Sequence, residues 1–285
     1  MAKEIKSVAI IGAGQMGMGI AQVHANIGIA TKLYDSNSAA LKKALEGMSK
    51  RLDKQIEKGT QTQEDKSRIL SNLSLVESLE GICNSELIIE AIVENTEIKL
   101  NLFKELDKLC PKTTLFASNT SSISITRLAG GTSRAENFIG MHFMNPVPVM
   151  QLVEIIRGLA TSDETYESAK NLITRLGKVP VTARNDYPGF IVNRILIPML
   201  NEAVYVLMEG TATVEEIDTA MKLGTNQPMG PLELADFVGL DTCLSICKIF
   251  HNELGEDKYR PCPLLIKYVE AGWLGRKTGR GFYKY

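Results

Sequence analysis

Two groups of residues in this 285-residue sequence could do chemistry. The first is Gly12-Ala13-Gly14-Gln15-Met16-Gly17, a G-x-G-x-x-G directly after the apolar run Val8–Ile11 and directly before the helix-like Met18–Asn26. That context gives the motif its weight. Gly12 permits a tight turn, Gly14 lets the backbone approach a pyrophosphate, and Gly17 allows helix and strand to pack closely. The anion then sits on a helix N-terminus, where unpaired N–H groups and the dipole favour negative charge. Asp35 ends the next apolar run, 23 residues after Gly12, and a carboxylate about 20 residues on is expected to accept the ribose hydroxyls. It would repel a 2′-phosphate, and Ser36-Asn37 offer no Arg to attract one, so the expected cofactor is NAD(H) rather than NADP(H). The alternative is a glycine-rich turn that packs on a sheet and holds nothing.

The second group is His142 and Glu154. Hydride transfer from an alcohol needs a base for the hydroxyl proton, and the chain has only three histidines. His24 falls on the helix after the glycines, where packing is the expected role. His251 lies among polar residues and reads as surface. His142 ends a strand-like run in Gly140-Met141-His142-Phe143-Met144-Asn145-Pro146; a lone His on such a run is more often a core residue than a base. Glu154 changes the balance. It stands in Leu152-Val153-Glu154-Ile155-Ile156, and a carboxylate amid four apolar residues is costly to bury unless a cation or donor pairs with it. Across the proline-containing turn, His142 is a natural partner. A carboxylate on one imidazole nitrogen fixes the tautomer and stabilises the imidazolium formed on proton transfer. The competing reading is a structural ion pair with a Lys or Arg.

Two further stretches belong with these. Ser118-Asn119-Thr120-Ser121-Ser122 follows the run Thr114–Ala117, at the carboxyl edge where open α/β sheets bind ligands, although Ser and Thr there would equally serve as a helix N-cap. Pro188-Gly189-Phe190-Ile191-Val192-Asn193-Arg194 sets one amide in an apolar helix face, where Asn193 could instead be a buried structural hydrogen bonder.

The elements that must hold these residues follow from periodicity. Strands are expected at Val8–Ile11, Thr31–Tyr34, Leu73–Val76, Leu87–Ala91, Thr114–Ala117, Phe138–Phe143, Leu152–Ile156 and Val179–Ala183, with amphipathic segments between them and a helix over Ser162–Leu176. After Tyr187-Pro188-Gly189 only helical periodicity remains: Phe190–Glu209, Val214–Leu223, Leu232–Leu254 and Leu264–Ala271. The fold expected is a Rossmann-type α/β domain with a mostly parallel sheet over residues 1–185, followed by an all-α domain over 186–285 for substrate and dimer contacts. The long apolar helix from Phe190 predicts a homodimer or higher homo-oligomer.

Composition narrows the function classes. A net charge of −1 argues against non-specific nucleic-acid binding. No run of 18 apolar residues occurs, and the short apolar stretch after Lys3 and Lys6 is better explained by the glycine motif than by export, so a cytoplasmic protein with no membrane span is expected. The five cysteines form no C-x-x-C pair and only Cys243 and Cys247 are close, so reduced thiols and no metal site are expected.

At this point the sequence resembles the L-3-hydroxyacyl-CoA dehydrogenase family, and within it the short, stand-alone bacterial members acting on 3-hydroxybutyryl-CoA. The resemblance is carried by Val8–Gly19, Glu90–Asn95, Ser118–Ser122, Gly140–Glu154, Pro188–Arg194, Ala220–Asp241 and Gly272–Tyr283, nearly the whole chain. It implies that His142 and Glu154 are the catalytic pair and that Ser121 and Asn193 contact substrate oxygens. It further implies that Glu94, Lys99, Asn145 and Lys277 lie near NAD(H), and that Lys50 and Lys54 contact CoA. Taken by themselves, Lys50, Arg51 and Lys54 fall on neighbouring helical turns and could meet CoA phosphates or form a solvated charged face. Met144 departs from the family, which has an aromatic residue there; the pocket shape is affected, not the chemistry.

The reaction implied interconverts (S)-3-hydroxybutyryl-CoA and acetoacetyl-CoA with NAD(H). A related dehydrogenase of a free hydroxy acid or sugar acid would not need Lys50 and Lys54. A non-enzymatic, crystallin-like NAD-binding protein would not need His142, Glu154, Ser121 and Asn193 together.

Overall fold

The computed structural model describes residues 2–285 and divides into two units, the first ending at Asp186 and the second spanning Tyr187–Tyr285. Short apolar runs in the first unit form β1 (Ser7–Ile11), β2 (Ala30–Tyr34), β3 (Leu73–Val76), β4 (Leu87–Glu90), β5 (Leu115–Ser118), β6 (Phe138–Phe143), β7 (Leu152–Ile156) and β8 (Val179–Ala183). They make one sheet in the order β3-β2-β1-β4-β5-β6-β7-β8. Every neighbouring pair is parallel except β6 and β7.

The central strands are apolar on both faces. Every residue of β4, β5 and β6 is buried, as a parallel sheet covered on both sides requires. The covering helices are α1 (Gln15–Asn26), α2 (Ser38–Glu57), α3 (Gln63–Ser71), α4 (Thr96–Leu109), α5 (Ile125–Gly130) and α6 (Asp163–Arg175). β8 is an edge strand; its pattern alternates and it contains Pro180, a residue tolerated only where one side of the ladder is unpaired. Strand order reverses between β1 and β4, which makes a crevice at their carboxyl ends. The glycine motif follows β1 and the stretch Glu90–Asn95 begins at the last residue of β4, so both candidate stretches meet there.

The second unit is helical: α7 (Val192–Met208), α8 (Val214–Gly224), α9 (Pro231–Val238), α10 (Leu240–Leu254) and α11 (Pro263–Glu270). They bury Ile197, Leu200, Leu232, Leu240 and Phe250 in a core of their own. The fold is therefore the expected Rossmann-type α/β unit followed by a helical one. Periodicity alone reads Leu232–Leu254 as a single helix, whereas the structure breaks it at Gly239. That residue has φ +101°, a left-handed turn that ends α9 and lets α10 start in a new direction.

All five cysteines are free and buried. Cys83 and Cys110, which sequence spacing kept apart, bring their Sγ atoms to 2.8 Å. Among the described residues, no helix is long and apolar enough to cross a membrane.

Candidate active site

The glycine motif forms a cradle whose geometry excludes side chains. Gly12 has φ +108°, and a Cβ there would lie 2.5 Å from the Ala91 carbonyl oxygen; a Cβ on Gly17 would lie 1.8 Å from that of Gly12. Gly14 differs: a Cβ there would meet nothing within 4 Å. Gly14 also N-caps α1, where no side chain caps the helix and no acid stands in the first turn. The loop thus presents open space in front of backbone donors, and it fits a dinucleotide pyrophosphate.

Asp35 is locked beside this loop. Its Oδ2 accepts from the Ala13 N–H at 2.7 Å and its Oδ1 from Asn37 N–H at 2.9 Å. Gln15 donates through Nε2 to Asn145 Oδ1 at 3.0 Å, which draws the turn after β6 to the loop. Gly19 admits Val147 against α1, since a Cβ on it would lie 2.8 Å from Val147 Cβ. Lys178 donates to the carbonyls of Val147 and Met150, both at 2.7 Å, and pins the other side of the turn. Met16 packs on the apolar core.

A cavity of about 520 Å³ lies before the cradle, with Lys43, Gly47 and Arg51 of α2 on one wall. Lys50 and Lys54 are exposed on α2 and do not line it. The stripe that reaches the cavity is 43-47-51-55, one helical phase away.

His142 and Glu154 are direct partners in the register of β6 with β7. The antiparallel pairing brings opposite Cβ atoms within about 5 Å, so the turn closed by Lys178 fixes the pair. His142 Nδ1 lies 2.7 Å from Glu154 Oε2, and the residues are 6 % and 0 % exposed. A carboxylate can only accept here, so Nδ1 is the donor and Nε2 is the nitrogen that can take up a proton.

The loop after β5 is tied to the same corner. Asn119 Oδ1 accepts from Phe143 N–H at 2.9 Å, next to His142. Glu94 Oε1 accepts from Thr120 Oγ1 (2.5 Å), Ser121 N–H (3.0 Å) and Ser122 Oγ (3.1 Å). The Glu94 side chain stays 36 % exposed; its partial desolvation works against a charge, but the Lys99 ammonium and these donors outweigh it and hold the carboxyl below its usual range. Lys99 is 1 % exposed, with Nζ at 2.6 Å from Glu90 Oε1 and 3.1 Å from Glu94 Oε2.

In the second unit Asn193 is half-buried in the first turn of α7, and the Lys277 ammonium pairs with Asp241. Glu90 is the site residue that composition and spacing missed, although its signal matches that of Glu154: a carboxylate on the apolar run Leu87-Ile88-Ile89-Glu90. His24 is fully buried; its Nδ1 faces the Ile20 carbonyl at 2.8 Å and its ring meets Phe143 edge-on. Burial pushes its pKa down to about 4. His251 is partly exposed, 3.8 Å from Asp257.

Similarity to known proteins extends over the whole chain. Residues 7–187 match the family model of the 3-hydroxyacyl-CoA dehydrogenase NAD-binding domain, and residues 189–285 match that of the C-terminal domain. The chain is 55 % identical to a 3-hydroxybutyryl-CoA dehydrogenase of Bradyrhizobium diazoefficiens, covering 100 % of this chain and 97 % of the relative. It is 53 % identical to a probable 3-hydroxybutyryl-CoA dehydrogenase of Bacillus subtilis, covering 99 % and 98 %. The crystal structure of (S)-3-hydroxybutyryl-CoA dehydrogenase from Ralstonia eutropha superposes with a TM-score of 0.95 at 49 % identity over 99 % of both chains.

Proposed function

The chain belongs to the 3-hydroxyacyl-CoA dehydrogenase family, and on that footing we propose that it interconverts (S)-3-hydroxybutyryl-CoA and acetoacetyl-CoA with NAD(H), His142 and Glu154 being the acid–base pair. The observation that carries this reading is the opposed His142–Glu154 pair, 2.7 Å apart and almost wholly buried, on the same sheet as the glycine cradle. Relatives more than 50 % identical over the whole chain are named for this substrate.

Gly12, Ala13, Gly14, Gln15, Met16 and Gly17 would hold the pyrophosphate, Asp35 the ribose, and Glu94, Lys99, Asn145 and Lys277 the remainder of the cofactor. A bound nicotinamide would supply the hydride acceptor in oxidation and the hydride donor in reduction. His142 Nε2 takes the C3 hydroxyl proton in oxidation; the protonated ring gives it back to the forming alkoxide in reduction. Glu154 holds the ring through Nδ1 and stabilises the imidazolium in between. Ser121 and Asn193 fix the substrate oxygens, and cations of α2 meet the CoA phosphates: Lys50 and Lys54 at the surface, Arg51 at the cavity wall. The exposed apolar residues Ile195 (67 %) and Leu223 (83 %) of the helical unit support a homodimer formed through that unit, in a cytoplasmic protein.

The test follows NADH consumption with acetoacetyl-CoA, longer 3-oxoacyl-CoAs and free acetoacetate side by side. Acetoacetyl-CoA is expected to give the highest kcat/KM, with NADPH a poor replacement for NADH. Equal turnover of free acetoacetate, or a preference for NADPH, would contradict the proposal.

A further inference from the structure

The strand that carries His142 outruns its neighbour. β5 ends at Ser118, which stands beside Gly140, so Met141, His142 and Phe143 of β6 have no β5 residue opposite them. On the other edge all three are paired with β7, opposite Ile155, Glu154 and Val153. Successive N–H groups of a strand point to alternate edges. That of Phe143 turns to the open edge, where Asn119 Oδ1 accepts it at 2.9 Å. Phe143 is 1 % exposed, and a buried N–H left without an acceptor costs about 1–3 kcal/mol. Asn119 is the residue directly after β5 and is half-buried. Its own N–H donates at 2.8 Å to the carbonyl of Glu90, the last residue of β4. One side chain thus takes the place that a main-chain carbonyl of β5 would fill if that strand ran on, and it does so from a backbone that β4 already holds.

We propose that Asn119 is a positioning residue for the acid–base pair: its side-chain carbonyl completes the sheet on the open edge of β6 and so fixes where the His142 ring stands. Without it, the last three residues of β6 are held by β7 alone. A strand paired on one edge twists and opens more freely than one paired on both. Glu154 lies on that same β7 and would travel with β6. The His142–Glu154 bond therefore survives such a motion while the ring leaves its place, and a shift of about 1 Å in a reacting group costs about 100-fold in rate. That the place of His142 matters rests on the acyl-CoA reading above; that Asn119 completes the edge of β6 does not.

Two substitutions in the full-length protein test it. Asn119→Leu removes the acceptor at similar volume, and Asn119→Asp keeps an acceptor oxygen in its place. Should Asn119→Leu fail to fold, Asn119→Ala is read in the same way. Hydrogen exchange resolved to the Phe143 amide needs no substrate. It is expected to be at least about tenfold faster in Asn119→Leu and close to the parent's in Asn119→Asp. The second readout is kcat per folded molecule at saturating NADH and acetoacetyl-CoA. It should fall by about 10–100-fold in Asn119→Leu, and Asn119→Asp should recover most of it. Unchanged exchange at Phe143, or a loss only of melting temperature with kcat intact, would overturn the proposal. So would a rise in KM alone for either substrate, which would make Asn119 a direct ligand contact. An Asn119→Asp variant as slow as Asn119→Leu would also overturn it, by assigning the effect to the amide donors rather than the carbonyl. Inactivity of the unaltered protein toward acetoacetyl-CoA would count against the substrate reading alone and leave the exchange result to decide this one.

Discussion

Each unit of the protein buries two carboxylates almost completely: Glu90 and Glu154 at 0 % in the first, Asp218 and Asp236 at 1 % in the second. Their partners differ. Asp218 accepts from the Leu232 and Glu233 amides and from Tyr283 Oη, and Asp236 from the Phe282 and Tyr283 amides and from Tyr285 Oη. Glycines stand where side chains would collide with them: a Cβ on Gly230 would lie 2.3 Å from Asp218, and one on Gly281 1.9 Å from Asp236. Backbone amides and tyrosine hydroxyls keep their protons at neutral pH, so these two aspartates fasten a helix start and the final segment of the chain. Glu154 and Glu90 instead face an imidazole and an ammonium, groups whose charge can change or be used. A buried carboxylate is a candidate for chemistry when a side chain that can carry positive charge faces it, and architecture when its partners are amides and hydroxyls alone.

The comparison can be broken by substitution, and the largest expected effect is on rate. His142→Gln should lower kcat by about 10²–10⁴-fold with a melting temperature close to that of the parent; a small loss of rate would move His142 to the side of architecture. Asp236→Asn should do the reverse. It sets a donor against one of the Phe282 and Tyr283 amides and should cost about 1–3 kcal/mol in urea unfolding, with kcat per folded molecule unchanged. A rate defect at full stability would show that the second unit's carboxylates take part in turnover.

The smallest effect sharpens the picture of the first unit. His24 titrates at 6.5 when unfolded and at about 4 when buried in the native state. Below pH 6.5 the unfolded chain binds a proton that the native one refuses, so stability falls with pH until about 4 is reached. Between pH 7 and 5 this accounts for about 2 kcal/mol. His24→Leu should remove that part of the acid sensitivity in urea titrations at the two pH values; an unchanged difference would mean that other groups carry it.

What could be read from sequence depended on how local the signal is. The strands are short apolar runs, and the cradle is six consecutive residues, so both were legible. The His142–Glu154 pair was legible because a single turn joins the two strands and the register follows. Lys99 and Glu90 were not, because the pair is closed by α4 folding back onto the end of β4, which spacing alone does not reveal. The phase of α2 was also hidden: which of Lys50, Arg51 and Lys54 lines the cavity depends on how the helix rolls on the sheet, and the structure brings Arg51 there. The break at Gly239 was missed because a glycine in an apolar periodic run reads as a tolerated interruption until its φ is known.

The central claim is that His142 and Glu154 act as one unit, and a double-mutant cycle in the acetoacetyl-CoA reduction tests it most directly. Glu154→Gln preserves shape, so folding and NADH binding should stay close to those of the parent while kcat falls by about 10²–10⁴-fold. Adding His142→Gln should then cost far less than its effect alone, because the second change removes a group already disabled. Full activity in Glu154→Gln, or losses that multiply in the double variant, would contradict the account.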